Sequence, residues 1–130
     1  MKNSMYQQNI IDHYRNPRNK GELENADITA QDINPTCGDS AVLQLKLQGD
    51  KIADVRFMGS GCAISQAAIS MLTEKMKGMP IQDARKIDQD YILKLLGVPV
   101  SHSRLNCAFL ALKALRLCVY SEKANKIAGQ

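Results

Sequence analysis

The chain has 130 residues, which fits one domain, and 45% of them are hydrophobic, enough for a core without disulfide bonds. The formal net charge of +4, from 17 basic and 13 acidic residues, is too small and scattered to indicate a nucleic-acid-binding protein. The polar start lacks the apolar stretch of a secretory signal, and no window has the roughly 18 consecutive apolar residues of a membrane span. We therefore expect a cytoplasmic protein whose cysteines stay reduced.

The first half of the chain predicts one helix and a small antiparallel sheet. Residues 4–14 carry apolar side chains at helical spacing, and residues 20–35 have the mixed pattern of a loop or edge strand. Residues 41–47 and 51–57 both alternate apolar and polar side chains and are separated by a short turn that contains glycine. These two segments predict a hairpin with one buried face.

The second half of the chain predicts helices. Apolar residues recur at helical spacing over 62–77, 88–96 and about 103–120, and glycine or proline follows the first two segments. The polar tail, 121–130, is expected to fray. The whole chain, 1–130, is therefore expected to be one α+β domain, a small antiparallel sheet with helices packed on one face.

Cysteines flank the predicted strands and helices: Cys37 in Asn34-Pro-Thr-Cys-Gly-Asp39, Cys62 in Gly59-Ser-Gly-Cys-Ala63, and Cys107 in Arg104-Leu-Asn-Cys-Ala108. The hairpin brings the ends of its two strands together, so Cys37 and Cys62 are expected to be neighbours. Cys107, at the start of the last helix, can join them, and Asp39 offers an oxygen ligand. Three thiolates and one carboxylate suit tetrahedral zinc or an iron–sulfur cluster. The spacing fits equally well three unrelated buried cysteines.

The other candidate ligands have simpler interpretations. Cys118 lies about 16 Å further along the last helix than Cys107, too far to share a site, and is expected to be a core cysteine. His102 is expected to be a solvated loop histidine that could serve as a spare ligand. His13, at the end of the first helix, is interpreted as a helix C-terminal cation or partner contact.

Four segments resemble the IscU/NifU/SufU family of iron–sulfur cluster assembly proteins, in order and over about residues 6 to 120. They are Ile11-Asp-His-Tyr-Arg-Asn-Pro-Arg-Asn-x-Gly21, Asn34-Pro-Thr-Cys-Gly-Asp39, Phe57-Met-Gly-Ser-Gly-Cys-Ala-Ile-Ser-Gln-Ala67 and Arg104-Leu-Asn-Cys-Ala-Phe-Leu-Ala-Leu-Lys-Ala114. The resemblance implies a scaffold, not an enzyme. On it a labile cluster, typically [2Fe–2S], is built from iron and the persulfide sulfur of a cysteine desulfurase, and then passes to apo-proteins or carriers.

The resemblance also implies roles for individual residues. Cys37, Cys62 and Cys107 would bind the cluster, iron or zinc, and Asp39 would be a ligand or keep the cluster labile. Cys107 would be the first persulfide acceptor. These roles leave two alternatives to a scaffold: a zinc-dependent sulfur acceptor of the SufU kind, and a structural zinc domain that only binds partners.

The sequence departs from both main branches of the family. Asn106 stands where the IscU branch has a histidine, directly before the third cysteine. The segment 97–103 matches poorly the chaperone-binding stretch of that branch, so the resemblance gives little support for dependence on a dedicated Hsp70-type chaperone. Arg104 resembles the SufU branch, but the spacing from Cys62 to Cys107 is too short for that branch's insertion.

Overall fold

The computed structural model describes residues 2–34 and 38–129, and it confirms the α+β class. In chain order the elements are α1 (Lys2–Arg15), β1 (Ile28–Ile33), β2 (Ser40–Gln48), β3 (Lys51–Ser60), α2 (Ala63–Met76), α3 (Ile81–Ala84), α4 (Gln89–Leu96), a 3₁₀ turn (His102–Arg104), α5 (Leu105–Ala108), α6 (Leu110–Val119) and α7 (Glu122–Ala128). Over these described ranges the strands form one antiparallel sheet in the order β1-β2-β3. None of the described helices is both long and apolar enough to cross a membrane.

The central hairpin of the sheet forms where the sequence predicts it. Gln48 pairs with Lys51 across a two-residue turn in which Gly49 has a φ of +62°. Along β2 and β3 alternate side chains are buried, which gives the sheet one apolar face, and Leu43 pairs with Phe57 in its centre. The segment 20–35, predicted as loop or edge strand, contains the edge strand β1.

Helices α2 and α6 cover the apolar face of the sheet and complete the core. The stripe predicted for 62–77 lies almost entirely inside, with Leu72 and Met76 fully buried. The helix predicted over 103–120 is instead divided at Phe109, whose backbone (φ −90°, ψ 1°) leaves the helical region. The Phe109 amide still bonds to the carbonyl of Leu105, so the division is local.

The chain end forms helix α7, where the sequence predicted a frayed tail. Arg85, in the turn after α3, donates to the carbonyl oxygens of Val119 and Gly129 and to the side chain of Asn125. Its guanidinium also lies 4.8 Å from the ring centroid of Tyr120. One planar, fork-shaped cation therefore satisfies carbonyl groups at the ends of both α6 and α7. A composition-based prediction misses this because the anchor is more than thirty residues away in sequence.

Replacing Arg85 with Ala should weaken the docking of α7. We expect a loss of about 1–2 kcal/mol in the free energy of unfolding, because several charge-assisted hydrogen bonds disappear together. Urea denaturation measures the loss, and amide hydrogen exchange should locate it in residues 122–128. Lys86→Ala is the matched control, since Lys86 is exposed and its ion pair with Asp83 is solvated. Equal stability of the two variants would contradict the anchor role.

His13 is buried between α1 and α2, rather than being an exposed cation at a helix end. Its Nδ1 lies 2.8 Å from the hydroxyl oxygen of Ser70, and its Nε2 lies 3.5 Å from a carboxylate oxygen of Glu74. Burial lowers the pKa of His13, and the charge of Arg18 lowers it further, while Glu74 and Asp12 oppose the shift. The neutral ring is therefore the form that fits the folded protein.

This environment predicts a loss of stability in mild acid. Because the folded pKa of His13 lies below its unfolded value, its contribution is complete above the unfolded pKa and is lost as the pH falls through the folded pKa. Urea denaturation between pH 7.5 and 5 should show the free energy of unfolding decreasing. His13→Gln should flatten that decrease, whereas His102→Gln, which changes an exposed histidine, should leave it unchanged. An unchanged pH profile in His13→Gln would refute this explanation.

Candidate metal centre

The β2–β3 hairpin places Asp39 beside the start of α2. Ser40 and Ser60 form the last pair of the ladder, at the end of the sheet far from the hairpin turn. Asp39 directly precedes this pair, and Cys62 follows it by two residues. The carbonyl of Asp39 also accepts a 2.7 Å hydrogen bond from the amide of Asn34, which closes the β1–β2 connection. Backbone pairing on both sides thus fixes the position of Asp39.

Cys62 is the N-cap residue of α2, with an extended backbone (φ −73°, ψ 166°). Its side chain makes no capping hydrogen bond, so the thiol is not used to stabilise the helix end. Its amide donates instead to the carboxylate of Asp39, with 3.4 Å between the nitrogen and Oδ2. The carboxylate therefore lies at the helix N-terminus, where the helix dipole favours a negative charge.

Cys107 completes a cluster with these two residues. The ligand atoms of Asp39, Cys62 and Cys107 all lie within 4.8 Å of one another. Asp39 is 5% exposed and Cys107 3% exposed, whereas Cys62 is half-buried, so the cluster is accessible mainly from the Cys62 side. Cys37, the other predicted ligand, lies outside the described residues. The structure thus brings together three of the four predicted site residues.

Hydrogen bonds keep Asp39 ionised inside this buried site. Burial alone would raise the pKa of Asp39, but hydrogen bonds from the Ser65 side chain and from the Cys62 amide outweigh it. Contacts with the thiols of Cys62 and Cys107 act in the same direction. The pKa therefore lies below its ordinary value, and Asp39 is an anionic oxygen donor at neutral pH.

The chemistry of this donor set fits a thiophilic metal. Zinc binds thiolates at about 2.3 Å and carboxylate oxygens at about 2.0–2.2 Å in a tetrahedron, so its ligand atoms lie roughly 3.5–4 Å apart. The spread of the ligand atoms in Asp39, Cys62 and Cys107 is close to that size. The same soft sulfur donors suit iron–sulfur clusters.

The remaining candidates from the sequence do not join the cluster. Cys118 is fully buried, its thiol contacts the carbonyl oxygen of Leu43 at 3.6 Å, and burial raises its pKa to about 12. The prediction of a core cysteine is confirmed. His102 is exposed in the 3₁₀ turn, and among the described residues no group of potential metal ligands includes it.

Sequence reasoning missed two polar residues next to the cluster, Ser65 and Gln66. Both are buried in the first turn of α2. In the sequence they belong to a family motif and to an amphipathic segment, neither of which assigns them a role. A signal was available, because Ser70 and Thr73 also interrupt the apolar residues of this segment. Polar side chains on a helix that is buried on most of its circumference indicate specific hydrogen-bond partners.

Comparison with known proteins identifies the family. The model of the NifU-like N-terminal domain matches residues 5–127. The chain belongs to this family. It is 41% identical to the zinc-dependent sulfurtransferase SufU of Bacillus subtilis (strain 168), over 92% of each chain. It is 38% identical to the iron–sulfur cluster assembly scaffold protein IscU 1 of Archaeoglobus fulgidus, over 95% of this chain and 81% of the relative.

A solved structure supports the same family relationship. The putative iron–sulfur cluster assembly scaffold protein for the SUF system from Fervidobacterium islandicum AW-1 superposes with a TM-score of 0.76 at 28% identity. The match covers 92% of this chain and 99% of that one. This chain is therefore similar in sequence to relatives named as scaffolds and as a sulfurtransferase, and it shares its fold with a putative scaffold.

The backbone at Gly61 lies directly against the carboxylate of Asp39, and a residue with a Cβ does not fit there. Its φ of +150° is unfavourable for other residues, and a Cβ there would run into the carboxylate of Asp39. Gly61→Ala should therefore displace Asp39 and weaken zinc binding by about tenfold or more, measured by competition with a chromophoric chelator. Gly78→Ala is the control, because Gly78 also has a positive φ (+82°) but a Cβ there meets nothing. Equal zinc affinity in both variants would contradict the prediction.

Proposed function

We propose that this protein is a scaffold for the assembly of a labile iron–sulfur cluster, of the [2Fe–2S] type. The observation that carries the proposal is the convergence of Asp39, Cys62 and Cys107 within 4.8 Å. Membership of the NifU-like N-terminal domain family, with relatives named as assembly scaffolds, supports it. Cys37 is proposed as the fourth ligand. The cluster is cargo, built here and then passed to apo-proteins or carriers.

The mixed ligand set favours transfer over storage. A carboxylate is a hard donor that binds iron less persistently than thiolate sulfur does. A ligand from an acceptor protein would therefore replace the Asp39 carboxylate first, and the transfer of the iron–sulfur cluster would begin at that position. The half-buried Cys62 lies on the accessible side of the candidate metal site, where an acceptor protein can approach.

Sulfur would arrive as the persulfide of a cysteine desulfurase, with Cys107 as the first acceptor. The Cys107 thiolate attacks the outer sulfur of the donor persulfide, one S–S bond forms as another breaks, and the donor leaves as a thiolate. No net oxidation or reduction occurs in that exchange. Because Cys107 is only 3% exposed, docking of the desulfurase has to uncover it. The partners are thus the desulfurase and apo-proteins, and the proposed compartment is the cytoplasm.

A zinc-dependent sulfur acceptor is the second candidate function. The relative with 41% identity is named as a zinc-dependent sulfurtransferase, and the exposed Arg104 resembles that branch. In this alternative Cys37, Asp39, Cys62 and Cys107 would hold zinc as a resident ion. The zinc would keep the thiolates ordered until the desulfurase displaces one of them.

Anaerobic reconstitution tests the two candidates against each other. The protein is incubated with ferrous iron, cysteine, a cysteine desulfurase and a thiol reductant, which supplies the electrons that convert persulfide sulfur to sulfide. Iron and acid-labile sulfide in near-equal amounts on the re-isolated protein would support the scaffold. They should be lost in Cys62→Ser and retained in Cys118→Ala. Stoichiometric zinc without sulfide, together with faster desulfurase turnover, would support the sulfur acceptor.

Asp39→Ala should give a cluster that persists several times longer than in the wild type. Without the carboxylate, a thiol of the reductant binds the cluster in place of Asp39. A cluster held only by sulfur ligands exchanges those ligands more slowly. Visible absorbance decay after addition of an apo-ferredoxin measures both lifetime and transfer. Asp90→Ala, which changes an exposed carboxylate on α4, is the control. If Asp39→Ala left lifetime and transfer unchanged, the labilising role of Asp39 would be wrong.

A further inference from the structure

Two buried polar residues at the start of α2 are not explained by packing. Ser65 is 1% exposed and Gln66 is 6% exposed. The amide nitrogen of Gln66 donates to the hydroxyl oxygen of Ser65 at 3.2 Å. The amide oxygen of Gln66 is buried, with no hydrogen-bond partner. A buried acceptor without a partner lowers stability, so this residue calls for a reason other than filling space.

Ser65 is hydrogen-bonded to the candidate metal site. Its hydroxyl donates to the carbonyl oxygen of Cys62 at 3.1 Å, and the amide of Cys62 in turn donates to the carboxylate of Asp39 at 3.4 Å. A hydroxyl has one proton and two lone pairs. Because Gln66 donates to one lone pair, the single proton of Ser65 points away from Gln66 and towards the carbonyl of Cys62.

The other buried polar residues of α2 have a different role. The hydroxyl of Ser70 binds the ring of His13 and the amide of Arg18, and Thr73 binds the side chain of Asn19. These contacts fasten α2 to α1 and to the turn that follows it. The hydrogen bonds found for Gln66 and Ser65 run towards the cluster instead.

We propose that Gln66 and Ser65 form a hydrogen-bond relay that positions Cys62, and through its amide the carboxylate of Asp39, for metal binding. Gln66 orients the hydroxyl of Ser65, and Ser65 holds the carbonyl of Cys62 at the start of α2. The amide of Cys62 then holds the carboxylate of Asp39. Both are positioning residues, since neither is among the ligands. The inference rests on the proposed function, because it concerns the same metal site. Mutating a residue that hydrogen-bonds to a metal ligand and orients it commonly lowers metal affinity by about 10- to 100-fold.

Gln66→Met separates positioning from stability. The two side chains have similar length, and Met removes the unpartnered oxygen together with the donor. We expect the melting temperature of the metal-free protein to stay the same or rise, while the affinity for Co²⁺ falls by about tenfold. Cobalt is the probe because its absorption reports both sulfur ligation and the geometry of the site. A purely structural role for Gln66 would lower the melting temperature and leave the cobalt spectrum unchanged.

Ser65 is tested by removal and by conservative replacement. Ser65→Ala should weaken Co²⁺ binding by about tenfold or more and shift the visible cobalt bands, because the carbonyl of Cys62 loses its donor. Ser65→Thr keeps the hydroxyl and should restore most of the affinity. Ser70→Ala is the matched control on the same helix, and it should lower the melting temperature without altering the cobalt spectrum.

The outcomes distinguish failure of the relay from failure of the proposed function. If Gln66→Met and Ser65→Ala bind Co²⁺ within twofold of the wild type, with the same spectrum, the relay is wrong and the metal site stands. If the wild-type protein shows no sulfur-to-cobalt charge-transfer absorption, the metal site itself is wrong, and both proposals fall together. Weaker binding in both variants, with rescue by Ser65→Thr, supports the relay.

Discussion

The register between β2 and β3 determines the geometry of the candidate metal centre. The ladder runs from the hairpin turn to the pair Ser40 and Ser60, and the site begins directly beyond that pair. A slip of one residue would turn each side chain of β2 to the opposite face of the sheet. It would expose Leu43 and Leu45, which are fully buried, and would also move Asp39 away from the start of α2. The apolar core therefore fixes the position of Asp39, a candidate ligand.

Helix α2 connects this site with the rest of the molecule. Its apolar side chains pack on the sheet, while its polar ones divide into two groups with different partners. Ser70 and Thr73 bind α1 and the turn after it, and Ser65 and Gln66 lie beside the cluster. Any movement of α1 relative to the sheet therefore acts on the helix whose N-terminus carries Cys62. The same helix thus has stabilising contacts at its middle and part of the candidate metal site at its start.

The site combines a buried carboxylate with two thiols of different accessibility. An ionised carboxylate in a buried position is unfavourable unless donors compensate for lost hydration. Here the Ser65 side chain and the Cys62 amide supply them before any metal is bound. Cys62 is half-buried and Cys107 almost fully buried, so the sulfurs differ in how a partner reaches them. This asymmetry suits a site that receives sulfur, binds metal and then releases its product.

The sequence by itself determined the central hairpin and the main helices, and it indicated the chemistry of the site. The alternation in 41–47 and 51–57 and the glycine turn between them specify the hairpin, because strand periodicity and turn geometry are local properties. The motif residues Asp39, Cys62 and Cys107 likewise indicated a metal site, although spacing alone left unrelated buried cysteines equally open. The same local patterns gave no reason for the division at Phe109 or for the ordered α7.

Only the tertiary structure decided which polar groups meet. The burial of His13 against Ser70, the docking of α7 by Arg85, and the chain from Gln66 through Ser65 to Cys62 join residues through packing and hydrogen bonds. A hydrogen bond depends on distances of a few tenths of an ångström and on angles, and neither is encoded in the spacing of residue types. For that reason the sequence could name the candidate ligands, whereas the groups that contact them became visible only in the folded chain.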